Sequence, residues 1–213
     1  MKIISTNIAK PTTFIWNNKE EITGIYKIPT NQPIYLGQED VKGDEVSNRI
    51  NHGGFYKACY IFSSEQYPYW KKLYPHLDWN WGMFGENLTV SGFDETKVLL
   101  GDIYKVGEAL VRIAQYREPC YKFGHKFGTQ AVLKQFIAHG HGGTYLSILE
   151  EGHVDINDEF ILVERPENCI TVAQLFHLIF AKEKDQDLLK IAANSEALPP
   201  KKRALLNSYI KTI

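Results

Sequence analysis

The sequence predicts a mixed, strand-rich protein with a helical C-terminal stretch. Three observations carry this. Aromatic residues make up 13% of the 213-residue chain, with twelve Tyr and eleven Phe, a bias toward sheet. The N-terminal part alternates brief β-branched or aromatic runs with Pro, Asn and Gly, the punctuation of strands and turns. After Arg165-Pro166 the apolar spacing turns helical, which divides the chain into residues 1–165 and 166–213. Hydrophobic residues at 44% against 23% charged supply an ordinary globular core.

Strands are expected at Ile3–Ile8, Thr13–Trp16, Gly24–Ile28, Pro33–Leu36 and Ala58–Phe62. A helix follows, with Tyr67, Trp70, Leu73 and Tyr74 at helical spacing, Ser63 and Gln66 as a capping box, and Pro75 as its stop. Gly101-Asp102 and Gly107-Glu108 then separate Val98–Leu100, Ile103–Val106 and Leu110–Ala114, the pattern of a meander. Thr129–His139 reads as a helix ended by Gly140. Tyr145–Leu149, Val154 and Phe160–Val163 complete the sheet. In the tail, Thr171 and Gln174 form a second capping box ahead of Val172, Leu175, Phe176 and Ile179. Asp187–Ala193 is a further helix, and Pro199-Pro200 starts a last one with Ala204, Leu205 and Tyr209 on its apolar side.

A formal net charge of −1 gives no global field for nucleic acid or an anionic membrane. No apolar run approaches the ~20 residues that span a bilayer, and the N-terminus lacks the features of a signal peptide. Cys59, Cys120 and Cys169 cannot all pair within one chain and match no zinc spacing. Reduced thiols in the cytoplasm are the expectation.

Three segments carry chemistry. In Arg117-Glu118-Pro119-Cys120-Tyr121-Lys122, two cations flank a cysteine on a loop stiffened by Pro119, a setting that favours a thiolate for nucleophilic or metal-binding work. In Asn51-His52-Gly53-Gly54-Phe55-Tyr56-Lys57, adjacent glycines let the backbone approach a ligand, and Lys57 offers a point charge to a phosphate. In Gly82–Thr89, Gly85 permits an unusual backbone while Glu86, Asn87 and Thr89 offer polar contacts to a heterocycle. Taken singly, each also reads as an ordinary loop thiol, turn or strand entry.

Together, Gly24-Ile-Tyr-Lys27, Gly43-Asp44, His52-Gly-Gly, Phe84-Gly-Glu-Asn-Leu-Thr89, Gly101-Asp102 and Arg117-x-Pro-Cys120 resemble the MOSC domain (molybdenum cofactor sulfurase C-terminal domain), in its YiiM-like branch. The resemblance runs from about Gly24 to Arg165, and the three-helix tail is also similar to that branch. It implies a mostly antiparallel β-barrel with peripheral helices and a pocket at one end, followed by the three-helix segment. It further implies a molybdenum–molybdopterin cofactor with Cys120 as metal ligand, and Arg117 holding the thiolate ionised or contacting cofactor. Lys27, His52, Gly53, Gly54, Lys57, Glu86 and Asn87 would contact the cofactor. The implied activity is reduction of N-hydroxylated compounds, purine bases and hydroxylamines included, and the alternatives are a persulfide carrier on Cys120 or a cofactor-binding module without turnover. No flavin, nicotinamide or iron–sulfur fingerprint is visible, so a separate electron-donating reductase is implied. A homodimer is one assembly open to it; membrane and nucleic acid are not expected partners.

Weaker features have ordinary readings. His139 and His141 stand at i and i+2 near a helix end, a poor spacing for ligation. Cys59 and Cys169 read as packing residues. Lys201-Lys202-Arg203 reads as a solvated face.

Overall fold

The structure, a computed structural model, describes residues 1–30, 32–47 and 52–211. Among these, β1 (Lys2–Ile8), β4 (Ile28–Thr30), β6 (Cys59–Ser63), β7 (Leu88–Ser91), β8 (Ile103–Val106), β9 (Ala109–Tyr116), β10 (Thr144–Glu150) and β12 (Ile161–Glu164) form one sheet. Its order is β12-β8-β9-β10-β6-β7-β1-β4, with β6 and β7 the parallel pair. Two strand pairs lie outside it: the hairpin of β2 (Thr12–Trp16) with β3 (Lys19–Thr23), and β5 (Ile34–Leu36) with β11 (Gly152–Val154), distant in sequence.

The sheet curls on itself. Residues just ahead of β12 hydrogen-bond the start of β1, through Ile3 N to Asp158 O and Phe160 N to Met1 O, both at 2.9 Å. This joins one end of the strand order to the strand next to the other end, which makes the mostly antiparallel barrel expected from the resemblance. The barrel is filled by Ile61, Leu88, Val90, Val111, Ile113, Leu146 and Ile148, all buried, from strands whose neighbours present the same face.

Among the described residues, six α-helices cover one flank: α1 (Tyr67–Leu73), α2 (Tyr121–Lys126), α3 (Ala131–His139), α4 (Val172–Phe180), α5 (Gln186–Asn194) and α6 (Pro200–Asn207). They enclose an aromatic core in which Phe62 and Phe84 stack at 4.0 Å and Trp70, Phe123, Phe127 and Phe136 pack around them. Leu175, Phe176, Leu189 and Leu206 of the tail belong to the same core, so the last three helices dock on the barrel through it. The Thr171–Gln174 capping box forms at the start of α4, and Gly140 takes the left-handed conformation that ends α3.

Several local expectations are corrected. Gly24–Lys27 is loop and Ile28 opens β4, because the second strand of the N-terminal hairpin is Lys19–Thr23 and Gly24 packs against the Glu45 backbone, where a Cβ would meet Glu45 O at 2.0 Å. Val98–Leu100 is turn: Val98 N bonds Asp94 O and Leu100 N bonds Ile170 O, which takes the segment out of the sheet. The Ser63–Gln66 capping box does not form, since Ser63 ends β6 and its hydroxyl donates to Glu65. In α6 Ala204 and Leu205 are exposed, as is Tyr209 beyond its end, and Leu206 is the buried one, because the helix presents a single position to the core.

Candidate functional site

Where β9 leaves the sheet, the chain turns through Arg117, Glu118 and Pro119 and enters α2 at Cys120. Cys120 is the N-cap of that helix; its extended backbone (φ −121°, ψ 168°) leaves its carbonyl to accept from Phe123 N at 2.9 Å. The half-buried sulfur stands at the edge of a cavity of about 710 Å³, open mouth included. Its wall is drawn from the Thr23–Lys27 loop, Asp44–Ser47, His52, Lys57, Tyr60, Gly85, Asn87, Arg117 and Tyr145. Six of the residues singled out from sequence therefore meet in one cavity: Cys120, Arg117, Lys27, His52, Lys57 and Asn87.

Arg117 is the unusual member. It is only 6% exposed, and its guanidinium lies 4.9 Å from the ring centroids of both Tyr60 and Phe123. Among the described residues no carboxylate pairs with it, and its Nη1 has no hydrogen-bond partner. Burial works against its charge, but Tyr60, Tyr145 and the Cys120 thiol outweigh this and hold the guanidinium above its ordinary value. Beside it the backbone comes close: at Gly85 (φ +80°) a Cβ would stand 3.7 Å from Arg117 Nη2 and 3.2 Å from the Ile25 side chain. Glycine there keeps open a cradle that any side chain would narrow.

The other cations are placed by partners. Lys27 Nζ pairs with Asp44, both side chains buried, and Asp44 also accepts from Ala9 N at 2.7 Å and Asn87 Nδ2 at 2.9 Å. Lys122 Nζ donates to Ile22 O at 2.7 Å, tying α2 to the N-terminal hairpin. Burial, then the nearby Lys202, lowers the Lys57 ammonium from its ordinary value. Burial, then Lys57 and Arg117, lowers His52 to about 4, so its imidazole is neutral at pH 7 and presents one N–H and one lone pair.

The remaining predicted residues fall elsewhere. Gly53 and Gly54 line an adjoining groove, not the cavity, and the Gly54 amide donates to Glu39 O at 3.0 Å. Asn51, just before His52, lies outside the described residues. Glu86 is buried behind the wall, 0% exposed. It accepts from Gly82 N and Phe84 N at 3.0 Å, Thr89 Oγ1 at 2.8 Å, and the Tyr67 hydroxyl. It holds the Gly82–Thr89 loop in shape, and its oxygens are taken. Asn87 lines the cavity while its amide bonds Tyr60 N, Asn7 O and Asp44, so it too fixes the wall.

Sequence reasoning passed over two residues. Asp44 stood in the quoted Gly43-Asp44 pair, yet its role as hub for Lys27 and Asn87 depends on contacts across the fold. Lys126 carried no motif; its Nζ donates to Ile25 O at 3.0 Å and Gly82 O at 2.9 Å, bracing both loops of the wall. Burial lowers Lys126 to about 7, with Arg117 and Lys27 acting in the same direction and Glu86 against. Among the described residues, no group of three His, Cys, Asp or Glu side chains is placed to hold a metal ion.

The model of the MOSC domain matches residues 48–161, more than half of the chain. The chain belongs to the MOSC family. This MOSC protein is 36% identical over 170 residues to the uncharacterized protein YflK of Bacillus subtilis (strain 168), covering 80% of this chain and 76% of that one. It superposes on the crystal structure of YiiM from Geobacillus stearothermophilus with a TM-score of 0.82 at 30% identity, over 99% of each chain, helical tail included. A protein named Reductase from Gibberella moniliformis (strain M3125 / FGSC 7600) is 31% identical over 173 residues, which are 79% of this chain and 31% of that longer one. No described helix of this MOSC protein is long and apolar enough to cross a membrane.

Proposed function

We propose that this MOSC protein is a molybdenum-cofactor-dependent reductase of N-hydroxylated compounds, with Cys120 as the protein's sulfur ligand. The observation that carries the reading is Arg117: a buried guanidinium with an unpartnered Nη1, on the wall of the same cavity as a half-buried cysteine. A buried donor left unpaired is costly, and an anionic group entering the cavity would satisfy it. The donor set fits a molybdenum–pterin cofactor. A thiolate suits a metal already held by sulfurs. Arg117, Lys27, Lys57 and Lys122 surround the space where an anionic cofactor would lie, and His52 adds a neutral hydrogen-bonding group.

When bound, the cofactor supplies a metal that accepts two electrons and passes them to the substrate. The reduction balances when the N-hydroxylated compound takes up two electrons and two protons and yields the parent N–H compound and water: the N–O bond breaks and an N–H bond forms. Electrons come from a separate donor protein. The chain's own residues anchor the anionic groups through Arg117 and the lysines, and they hold the sulfur at the helix N-cap. The relative named Reductase supports a redox activity.

The test compares protein from a host that makes molybdenum cofactor with protein from one that does not. Near-stoichiometric molybdenum and pterin from the first host alone is the expected result, with reduction of an N-hydroxylated base on supplying electrons. Cys120→Ser should fold and lose the metal. Folded protein from the competent host with no metal and a freely alkylated Cys120 would overturn the reading in favour of persulfide chemistry or a non-catalytic role.

A further inference from the structure

The candidate site leaves one histidine–glycine stretch of the chain unused, His139-Gly-His141-Gly-Gly143. It forms the end of α3 and the turn into β10. That turn is held by Glu95, from the segment between β7 and β8, which is only 1% exposed. Gly143 N donates to Glu95 Oε1 at 2.5 Å, and His141 Nδ1 stands 3.4 Å from Glu95 Oε2. Among the described residues Oε2 has no hydrogen-bond partner, so the half-buried imidazole is what faces this side of a buried carboxylate.

This clamp reaches the cavity through two glycines. Gly142 O accepts from the Tyr60 hydroxyl at 2.7 Å. A Cβ on Gly143 (φ +68°) would stand 2.8 Å from Tyr60 Cε2 and 2.3 Å from Ile61 O, so glycine is what lets the turn lie against β6. Tyr60 is thus fixed at its hydroxyl end as well as by its strand, and its ring face seats the Arg117 guanidinium at 4.9 Å. The tail meets the same turn. Ala173 N donates to Glu95 O at 2.9 Å, and a Cβ on Gly142 would fall 2.4 Å from the Phe176 ring.

We propose that Glu95 and His141 are positioning residues for Arg117, acting through the Gly142–Gly143 turn and Tyr60, and that α4 of the tail closes the same clamp. This rests on the reading of Arg117 as the donor that receives an anionic group. An unbroken run of contacts joins the half-buried imidazole to the buried guanidinium, so a proton on His141 and an anion at Arg117 favour one another. Glu95 raises His141 from its ordinary value, with burial opposing and Asp94 adding. His139 faces it from the end of α3 with ring centroids 5.1 Å apart, His177 of α4 lies against Gly140, and Asp94 is itself paired with Lys97 at 2.9 Å. The imidazolium therefore balances Glu95 on the acid side, and the clamp loosens as pH rises through the His141 titration.

The test uses the full chain from a host that does not make molybdenum cofactor, with sulfate as the probe because it stays a dianion across the pH range. NMR follows the His141 ring and the Arg117 Cζ resonance, assigned by their loss in His141→Gln and Arg117→Met. In wild type the Arg117 resonance should move with the His141 midpoint. Sulfate binding should weaken about fivefold as His141 loses its proton, the low end of coupling between separated sites. Saturating sulfate should raise the His141 midpoint by the same factor, and His141→Gln should remove the pH dependence of both readouts. Glu95→Gln should behave as His141→Gln does, and the histidine variant, at a half-buried site, serves if the buried one fails to fold. Gly142→Ala, which forces the turn and Phe176 apart, should shift the Arg117 resonance at every pH. An equal pH response of Arg117 in wild type and His141→Gln overturns the proposal, and an unmoved resonance in Gly142→Ala removes the tail from it. Absence of sulfate binding, with Arg117 still following His141, overturns the anion reading of Arg117 and leaves the positioning role standing.

Discussion

Replacing Arg117 with Met should leave the cofactor-free protein about as stable as wild type while abolishing cofactor retention. The magnitude follows from what the guanidinium touches. Its unpartnered Nη1 in a buried position carries a penalty of about 1–3 kcal/mol, which Met removes. Against this, Met forfeits three desolvated cation–π contacts, with Tyr60 and Phe123 at 4.9 Å and Phe136 at 5.8 Å, worth about 1 kcal/mol each. The two effects offset to within about 1–2 kcal/mol, and Met's flexible chain fills much of the vacated space. For a chain of this size each kcal/mol moves the melting temperature by roughly 2–4 °C. Thermal unfolding of cofactor-free wild type and Arg117→Met should therefore agree to within about 8 °C. Molybdenum per chain from a competent host should fall to near background. A drop of more than about 10 °C would mean that Arg117 is held for the core and not for a ligand. Full metal content in the variant would remove it from the cofactor site.

Glu86→Gln exchanges one acceptor oxygen for an amide that faces donors from Gly82, Phe84, Thr89 and Tyr67. It should cost about 2–4 kcal/mol, read as a clear fall in melting temperature, with cofactor per folded chain unchanged; the reverse pattern would return Glu86 to the cofactor-binding set. His139 Nε2 donates to Gln66 Oε1 at 2.8 Å and its ring stacks on Tyr69 at 4.0 Å, and burial, then His141, lowers it to about 4. The unfolded chain therefore takes up this proton first, so stability is lost as pH falls from about 6.5 toward 4. His139→Gln should flatten the decline of melting temperature across that window, and parallel curves for variant and wild type would refute the assignment.

Most strands of the barrel, β1, β6, β8, β9, β10 and β12, were legible because their information is local, β-branched runs between turn residues. Leu88–Ser91 was not singled out, and Gly24–Ile28 and Val98–Leu100 carried the same local pattern without forming the strands expected there. The tail helices were legible for the same reason, through Thr171–Gln174 and the apolar spacing behind it. The helix Tyr121–Lys126 was not legible. It is six residues long and contains Gly124, so neither period nor propensity marks it. It is held by distant contacts instead, Phe14 against His125 at 4.6 Å and Trp16 against Tyr121 at 5.0 Å. That matters for the site, because this short helix is what presents Cys120.

The candidate site divides along a similar line. Residue type and motif brought Cys120, Arg117, Lys27, His52, Lys57 and Asn87 to attention, and the fold gathers them in one cavity. Motif alone could not separate a polar residue that faces the cavity from one that builds its wall. Glu86 and Asn87 are adjacent and equally polar, yet Glu86 spends its oxygens on the loop behind the wall while Asn87 reaches the cavity's edge. Arg117 differs from both, since its surroundings within the chain leave a donor unsatisfied. A loop can be kept in shape by residues whose partners are complete. A buried cation held by ring faces but left with an unpaired donor carries a desolvation penalty, which an arriving anionic group would relieve. The unfinished hydrogen bonding of Arg117, more than the presence of any one motif, is therefore what makes this cavity the candidate binding site.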